Sequence, residues 1–188
     1  MNRFLSRKFL LLTALAVSCF GLAARTSAWT CPAPAATPQW TKKDYLSPLE
    51  ADKIRDAPTI SDRVKLFLAF AADRLRKIDY ELERKEKDRA WRERMSSLIN
   101  AYTGCVDDAA DALEGGLEKQ ENLRPGVKEL DKRTKEFLPK IQELRDSPQL
   151  ADYKADLEDA IQATQDAAKT AEDVGKEISA GPERRKPS

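Results

Sequence analysis

Enzymes need side chains that carry protons, attack carbonyls or hold metals, and this chain offers few. Its 188 residues include no histidine. That removes the usual general base near neutral pH, the serine and cysteine hydrolase triads, haem attachment through CxxCH, and most zinc and copper sites. No glycine-rich phosphate loop occurs either, because Gly115-Gly116 lacks the lysine and hydroxyl residue such a loop places beside it. Carboxylates are plentiful, 32 against 33 lysines and arginines. Glu81, Glu83 and Glu86, or Asp107, Asp108 and Asp111, are spaced to gather on facing helices. Di-iron bundles, however, use a Glu-x-x-His motif, and a calcium loop alternates oxygen ligands around a turn glycine. Neither pattern occurs, and acids at this density cluster without purpose. The residues point to no catalytic group, no cofactor and no metal, hence to a protein that is not an enzyme.

Two cysteines carry more information. The first 28 residues have the form of a secretory signal: Arg3, Arg7 and Lys8, an apolar run from Phe9 to Ala24, and small residues Thr26-Ser27-Ala28 before Trp29. The 16 residues of that run fall short of the roughly 20 needed to span a bilayer. Two alternatives stay open: an uncleaved anchor, and lipid attachment at Cys19, since Leu15-Ala16-Val17-Ser18-Cys19 loosely resembles a bacterial lipoprotein box. After export Cys31 and Cys105 remain, an even pair in an oxidising compartment. A bridge between them would tie an N-terminal arm to the second long helix and contribute roughly 4 kcal/mol on the chain-entropy estimate. The other reading is two separate thiols, with Cys105 a small core residue.

Charge narrows the partners. Removing residues 1–28 takes four basic residues and no acid, so 33 basic residues become 29 against 32 acidic ones. No concentrated basic face marks a nucleic-acid partner. A membrane becomes a partner only if the chain is lipidated at Cys19 or keeps its signal.

The elements that would position such residues are helices. Residues 29–46 form a proline-punctuated arm, where Pro32, Pro34 and Pro38 exclude continuous helix. Its Trp29 and Trp40 are costly to leave in water: they either pack back on the fold or meet a partner. Ser47-Pro48-Leu49-Glu50 is a capping box with proline in the first turn, and opens a short helix that ends before Pro58 and buries Leu49 and Ile54, with Ala57 at its exit. Thr59 with Asp62 caps the next helix, in which Ile60, Val64, Phe67, Ala71, Leu75, Ile78 and Leu82 recur once per turn. Leu66, Leu68 and Phe70 widen that face enough for two neighbours.

Between Leu82 and Trp91 no large apolar side chain occurs, and a reversal is expected between Arg84 and Ala90. The following helix carries Trp91, Met95, Leu98, Tyr102, Cys105, Ala109 and Leu113, with Gly115-Gly116 weakening its end and Gly104 marking close approach of another backbone. After Pro125 a heptad runs Val127, Leu130, Thr134, Phe137, Ile141 and Leu144, and Pro139 should kink or split it after Leu138. Asp146-Ser147-Pro148 makes a turn and a fresh cap. A last, coiled-coil-like helix follows from Leu150 to Ile178, its later turns lined by small residues. Residues 181–188 read as a disordered tail. The whole is all-α: an antiparallel up-and-down bundle of about four long helices over 47–180, with a short N-terminal helix and the extended arm across it.

The run DYLSPLEADKIRDA followed by SDRVKLFLAFAADRL resembles the start of uncharacterised exported helical proteins of environmental bacteria, over about a quarter of the chain. The resemblance implies export and a helical fold, and brings no activity or site residues. The expected function is a periplasmic or secreted protein that binds or scaffolds another cell-envelope protein. The alternative is a periplasmic holdase-type chaperone or stress adaptor. Self-association is compatible with either.

Overall fold

The computed structural model describes residues 45–84, 87–119 and 121–180. The readings made for 1–44, which include Cys19, Trp29, Cys31 and Trp40, and for the tail 181–188 lie outside the described residues. Five helices follow in order: α1 (Pro48–Asp56), α2 (Ile60–Glu83), α3 (Arg89–Glu118), α4 (Arg124–Asp146) and, after a 3-10 turn over Pro148–Tyr153, α5 (Lys154–Ala180). The described residues form a short N-terminal helix and four long packed helices, without a strand.

Local chemistry sets most boundaries. At α1 the Glu50 N–H donates to Ser47 Oγ (3.3 Å) and the Ser47 N–H donates to Glu50 Oε2 (2.9 Å), closing the capping box. Thr59 Oγ1 accepts from the Asp62 N–H at 3.1 Å. The reversal falls where the apolar pattern lapses, and α3 restarts with Asp88 accepting the Trp91 N–H at 2.6 Å. Trp91 then clasps the turn: its indole N–H donates to the Glu81 carbonyl at 2.9 Å, and its ring meets Tyr153 edge-on at 6.2 Å.

Successive long helices alternate in direction, as short connections require. Their arrangement in cross-section was not visible in the sequence. α2 packs on α3, α3 on α5, α5 on α4, and α4 back on α2, while α3 and α4 hardly touch although a short turn joins them. The α3–α4 connection thus crosses a diagonal, and α2 and α4 become parallel neighbours. Side chains of this junction hold the two helix N-termini together. Glu121 Oε2 accepts the Ile60 N–H (3.2 Å), the Ser61 hydroxyl donates to the Asn122 carbonyl (3.0 Å), and Ser61 Oγ accepts the Gly126 N–H (3.2 Å). Leu123 precedes α4 and provides no side-chain cap. Ser61, one helix away, fills that role for an otherwise orphaned donor.

The core is a single cluster drawn from all four long helices, with Val64, Leu68, Met95, Leu113, Leu130, Ile141 and Leu150 fully enclosed. The Tyr102 ring packs edge-on to Phe137 at 5.8 Å, and its hydroxyl is 2.8 Å from that of Thr164. Thr164 and Thr134, the polar members of the heptads, return bonds to the carbonyls of Ala160 (2.7 Å) and Leu130 (2.9 Å), so neither is buried unsatisfied.

Several expectations are corrected. Leu49 is 74% exposed, because the capping box turns Glu50 inward and leaves Leu49 outside. The stripe of α3 is centred one position on from Leu98, which is only partly buried, and takes in Ile99 and Val106. Pro139 does not split α4, which runs through it with buried residues on both sides. Ser147 makes no side-chain cap; the 3-10 turn carries the chain into α5 and buries Leu150 and Tyr153. Gly115-Gly116 does not end α3, which runs through both to Glu118.

The two glycines differ in what surrounds them. A Cβ on Gly115 would meet nothing within 4 Å, whereas one on Gly116 would lie 2.5 Å from Leu123 Cδ2 and 3.2 Å from Ile60 Cδ1. Gly115→Ala is expected to stabilise by about 0.5–1 kcal/mol through helix propensity. Gly116→Ala is expected to destabilise by about 1–2 kcal/mol, since Leu123 is enclosed and cannot swing away. Urea midpoints moving in opposite directions for these adjacent substitutions would verify the contact.

Candidate functional site

Three places gather polar or open features. The first joins α1 to the bundle. Arg74 on α2 is buried and forks onto Glu50, with Nη1 to Oε1 at 2.8 Å and Nη2 to Oε2 at 2.7 Å. The guanidinium hydrogen bonds hold the Glu50 carboxyl at about 2, well below the usual carboxylate range. Tyr45 shares its hydroxyl proton between Asp108 Oδ2 (2.6 Å) and the Gly104 carbonyl (2.9 Å). Burial, then the bond to the Asp108 carboxylate, raises that phenol. A Cβ on Gly104 would lie 2.6 Å from the Tyr45 ring, so the close approach at Gly104 is by an aromatic ring and not by a backbone.

Cys105 lies beside this cluster, fully buried, and burial pushes its thiol up to about 12. Such a thiol is a poor nucleophile. It is a free thiol among the described residues and packs as a small core side chain; Cys31 lies outside them. The groups here are all engaged with one another, and the cluster acts as a clasp for α1.

The second place is a cleft of about 650 Å³ where α2 meets α3, bordered by Tyr80, Glu81, Arg94 and Leu98. Tyr80 is 66% exposed above it. Glu81 is no candidate acid: Arg94 Nε and Nη2 each reach it at 3.2 Å, and Arg84 Nη1 lies 3.3 Å away. Asp108, on the other acidic run, holds Tyr45. Among the described residues no group of three or more cysteines and acids is placed to hold a metal ion.

The third place is an open groove between α4 and α5, in two adjoining parts of about 600 and 790 Å³ that share Val127, Lys128, Gly175 and Ser179. It exists because α5 turns small residues toward α4 here. Ala168, Ala171 and Gly175 leave space that larger side chains would fill, and Val127 and Ile178 remain only partly buried. At Gly175 a Cβ would touch only Val127 Cγ1, at 3.5 Å. The groove follows α5 from Gln165 to Ser179, about 20 Å at 1.5 Å per residue. Its rim is charged and its floor apolar, which suits a bound helix or strand better than a small reactive substrate.

Of the residues singled out in the sequence, the structure places Cys105 in the core, while Cys31, Trp29 and Trp40 lie outside the described residues. It brings together Tyr45, Glu50, Arg74 and Asp108, which sequence reasoning did not associate. Only the capping box hinted at Glu50. Small residues line the later turns of α5 where it packs on α4, and a groove opens beside them.

No helix among the described residues is long and apolar enough to cross a membrane. No protein-family model, no curated protein and no solved structure matches the chain.

Proposed function

We propose that this chain is an exported, non-enzymatic helical-bundle protein that binds or scaffolds another cell-envelope protein, using the groove between α4 and α5. The observation that supports it most is the groove itself, in which the partly buried Val127, Ala168, Gly175 and Ile178 are bounded by charged side chains. The polar clusters elsewhere are consumed internally, Glu50 by Arg74 and Glu81 by Arg84 and Arg94. Export rests on the form of residues 1–28.

Photo-crosslinking tests this reading. A photoreactive side chain is placed in the groove at Ala168, and separately at Tyr80, and the full-length protein is irradiated in its own envelope fraction. A discrete protein adduct from Ala168 is the expected result. If neither position gives an adduct, the scaffold reading fails. A smear of many unrelated chains from Ala168, joined to suppression of aggregation without nucleotide, would favour the holdase alternative.

A further inference from the structure

Resting on that reading, we infer that the groove between α4 and α5 receives an acidic amphipathic helix of the partner protein. The rim carries Arg124, Lys128, Lys135, Lys169 and Lys176. Among the described residues that line the groove the acids are Asp131 and Glu172. These acids engage Lys135 at 2.7 Å and Lys176 at 2.7 Å, while Lys128, Lys169 and Arg124 are exposed and make no ion pair with the described residues. This rim, five basic side chains against two acidic ones, belongs to a chain that without residues 1–28 has 29 basic and 32 acidic residues, so the groove is more basic than the chain as a whole.

The apolar floor requires a second feature of the occupant. Val127, Ala171 and Ile178 line a channel about 20 Å long. A helix of about 14 residues matches that length and presents one apolar stripe per face. Two other occupants fit less well. The chain's own segments outside the described residues carry the wrong sign: 29–44 has two lysines and one acid, and 181–188 has three basic residues and one acid. A lipid surface would be met by protruding apolar side chains, and the large exposed ones among the described residues, Leu49 and Tyr80, lie outside the lining of this groove.

The test uses the full chain and a fluorescein-labelled 18-residue helical peptide with leucine at three- and four-residue spacing and glutamate elsewhere. Its counterpart replaces every glutamate by lysine. Anisotropy should rise with the glutamate peptide, and affinity should fall more than tenfold in Lys128→Glu/Lys169→Glu and more than threefold between 50 and 500 mM salt. Gly175→Trp, which fills the floor, should weaken binding at least tenfold, while Gly175→Ala, which leaves it open, should not.

Equal binding of both peptides, or affinity within twofold after the double charge reversal, overturns the inference. So does titration of the same lysines by phosphatidylglycerol vesicles without peptide binding, or concentration-dependent self-association lost in Gly175→Trp. If the peptide fails while Ala168 captures an envelope protein, the scaffold reading stands and this inference falls. Peptide binding without any envelope adduct reverses that outcome.

Discussion

Trp91→Ala is expected to cost about 3–5 kcal/mol. Three contributions combine in it. The indole is almost completely buried at the α2–α3 reversal, so its removal leaves a large cavity. The Glu81 carbonyl loses its 2.9 Å donor, and Tyr153 loses its edge-on partner at 6.2 Å. Lys87, whose ammonium stands 4.9 Å over the ring, contributes less because it is exposed. Trp91→Phe keeps most of the volume and loses the indole N–H, and should cost about 1–2 kcal/mol. Urea denaturation of both variants measures these losses. A loss for Trp91→Ala no larger than that for Trp91→Phe would show that the turn has no need of the ring.

The second large effect is expected at Arg74. Its guanidinium is buried and forked onto Glu50, and it also reaches Asp73 at 3.0 Å. Arg74→Ala leaves a carboxylate at the α1 junction that is only 16% exposed in its side chain. The cost is expected to be about 2–3 kcal/mol, below the value for a fully buried pair because Glu50 reaches some water. Local detachment of α1 should precede global unfolding, visible as faster amide exchange over Pro48–Asp56 with α3 and α5 still protected.

The pair also sets a pH dependence. Glu50 is held at about 2 in the folded protein against 4.5 for the free side chain. A depressed acid stabilises fully above its unfolded value and loses that contribution as pH falls toward its folded one. The clasp should therefore hold above about pH 4.5 and weaken progressively down to about pH 2. In Glu50→Gln, α1 exchange should lose that acid-dependent step. If α1 protection in the native protein stays constant from pH 5 to pH 2.5, the ion pair does not hold the helix.

Much of the architecture was legible in the sequence because helices are made locally. One apolar residue per turn from Ile60 to Leu82, an N-cap at Ser47 and another at Thr59, and a lapse in the pattern before Trp91 each act within a few residues. Those same short-range signals misread Leu49, Leu98, Gly115-Gly116, Pro139 and Ser147. There a helix's own preferences were outweighed by what it packs against: the enclosed Leu123 against Gly116, or the stripe running past Pro139.

What only the tertiary structure decided is the set of contacts between residues far apart in the chain. Ser61 caps α4 across 65 positions, Tyr45 seats on Gly104 across 59, and Arg74 takes Glu50 across 24. Composition and periodicity carry no record of such pairs, because one exposed-looking arginine or serine reads like any other until a neighbouring helix covers it. The groove is decided in the same way. Small residues late in α5 predict space along a helix, but whether a neighbour closes that space depends on the diagonal α3–α4 connection that sets α4 beside α2 and α5. The sequence by itself determined helices, caps and the absence of histidine chemistry; the three-dimensional packing determined which polar groups are consumed and which apolar surface stays open.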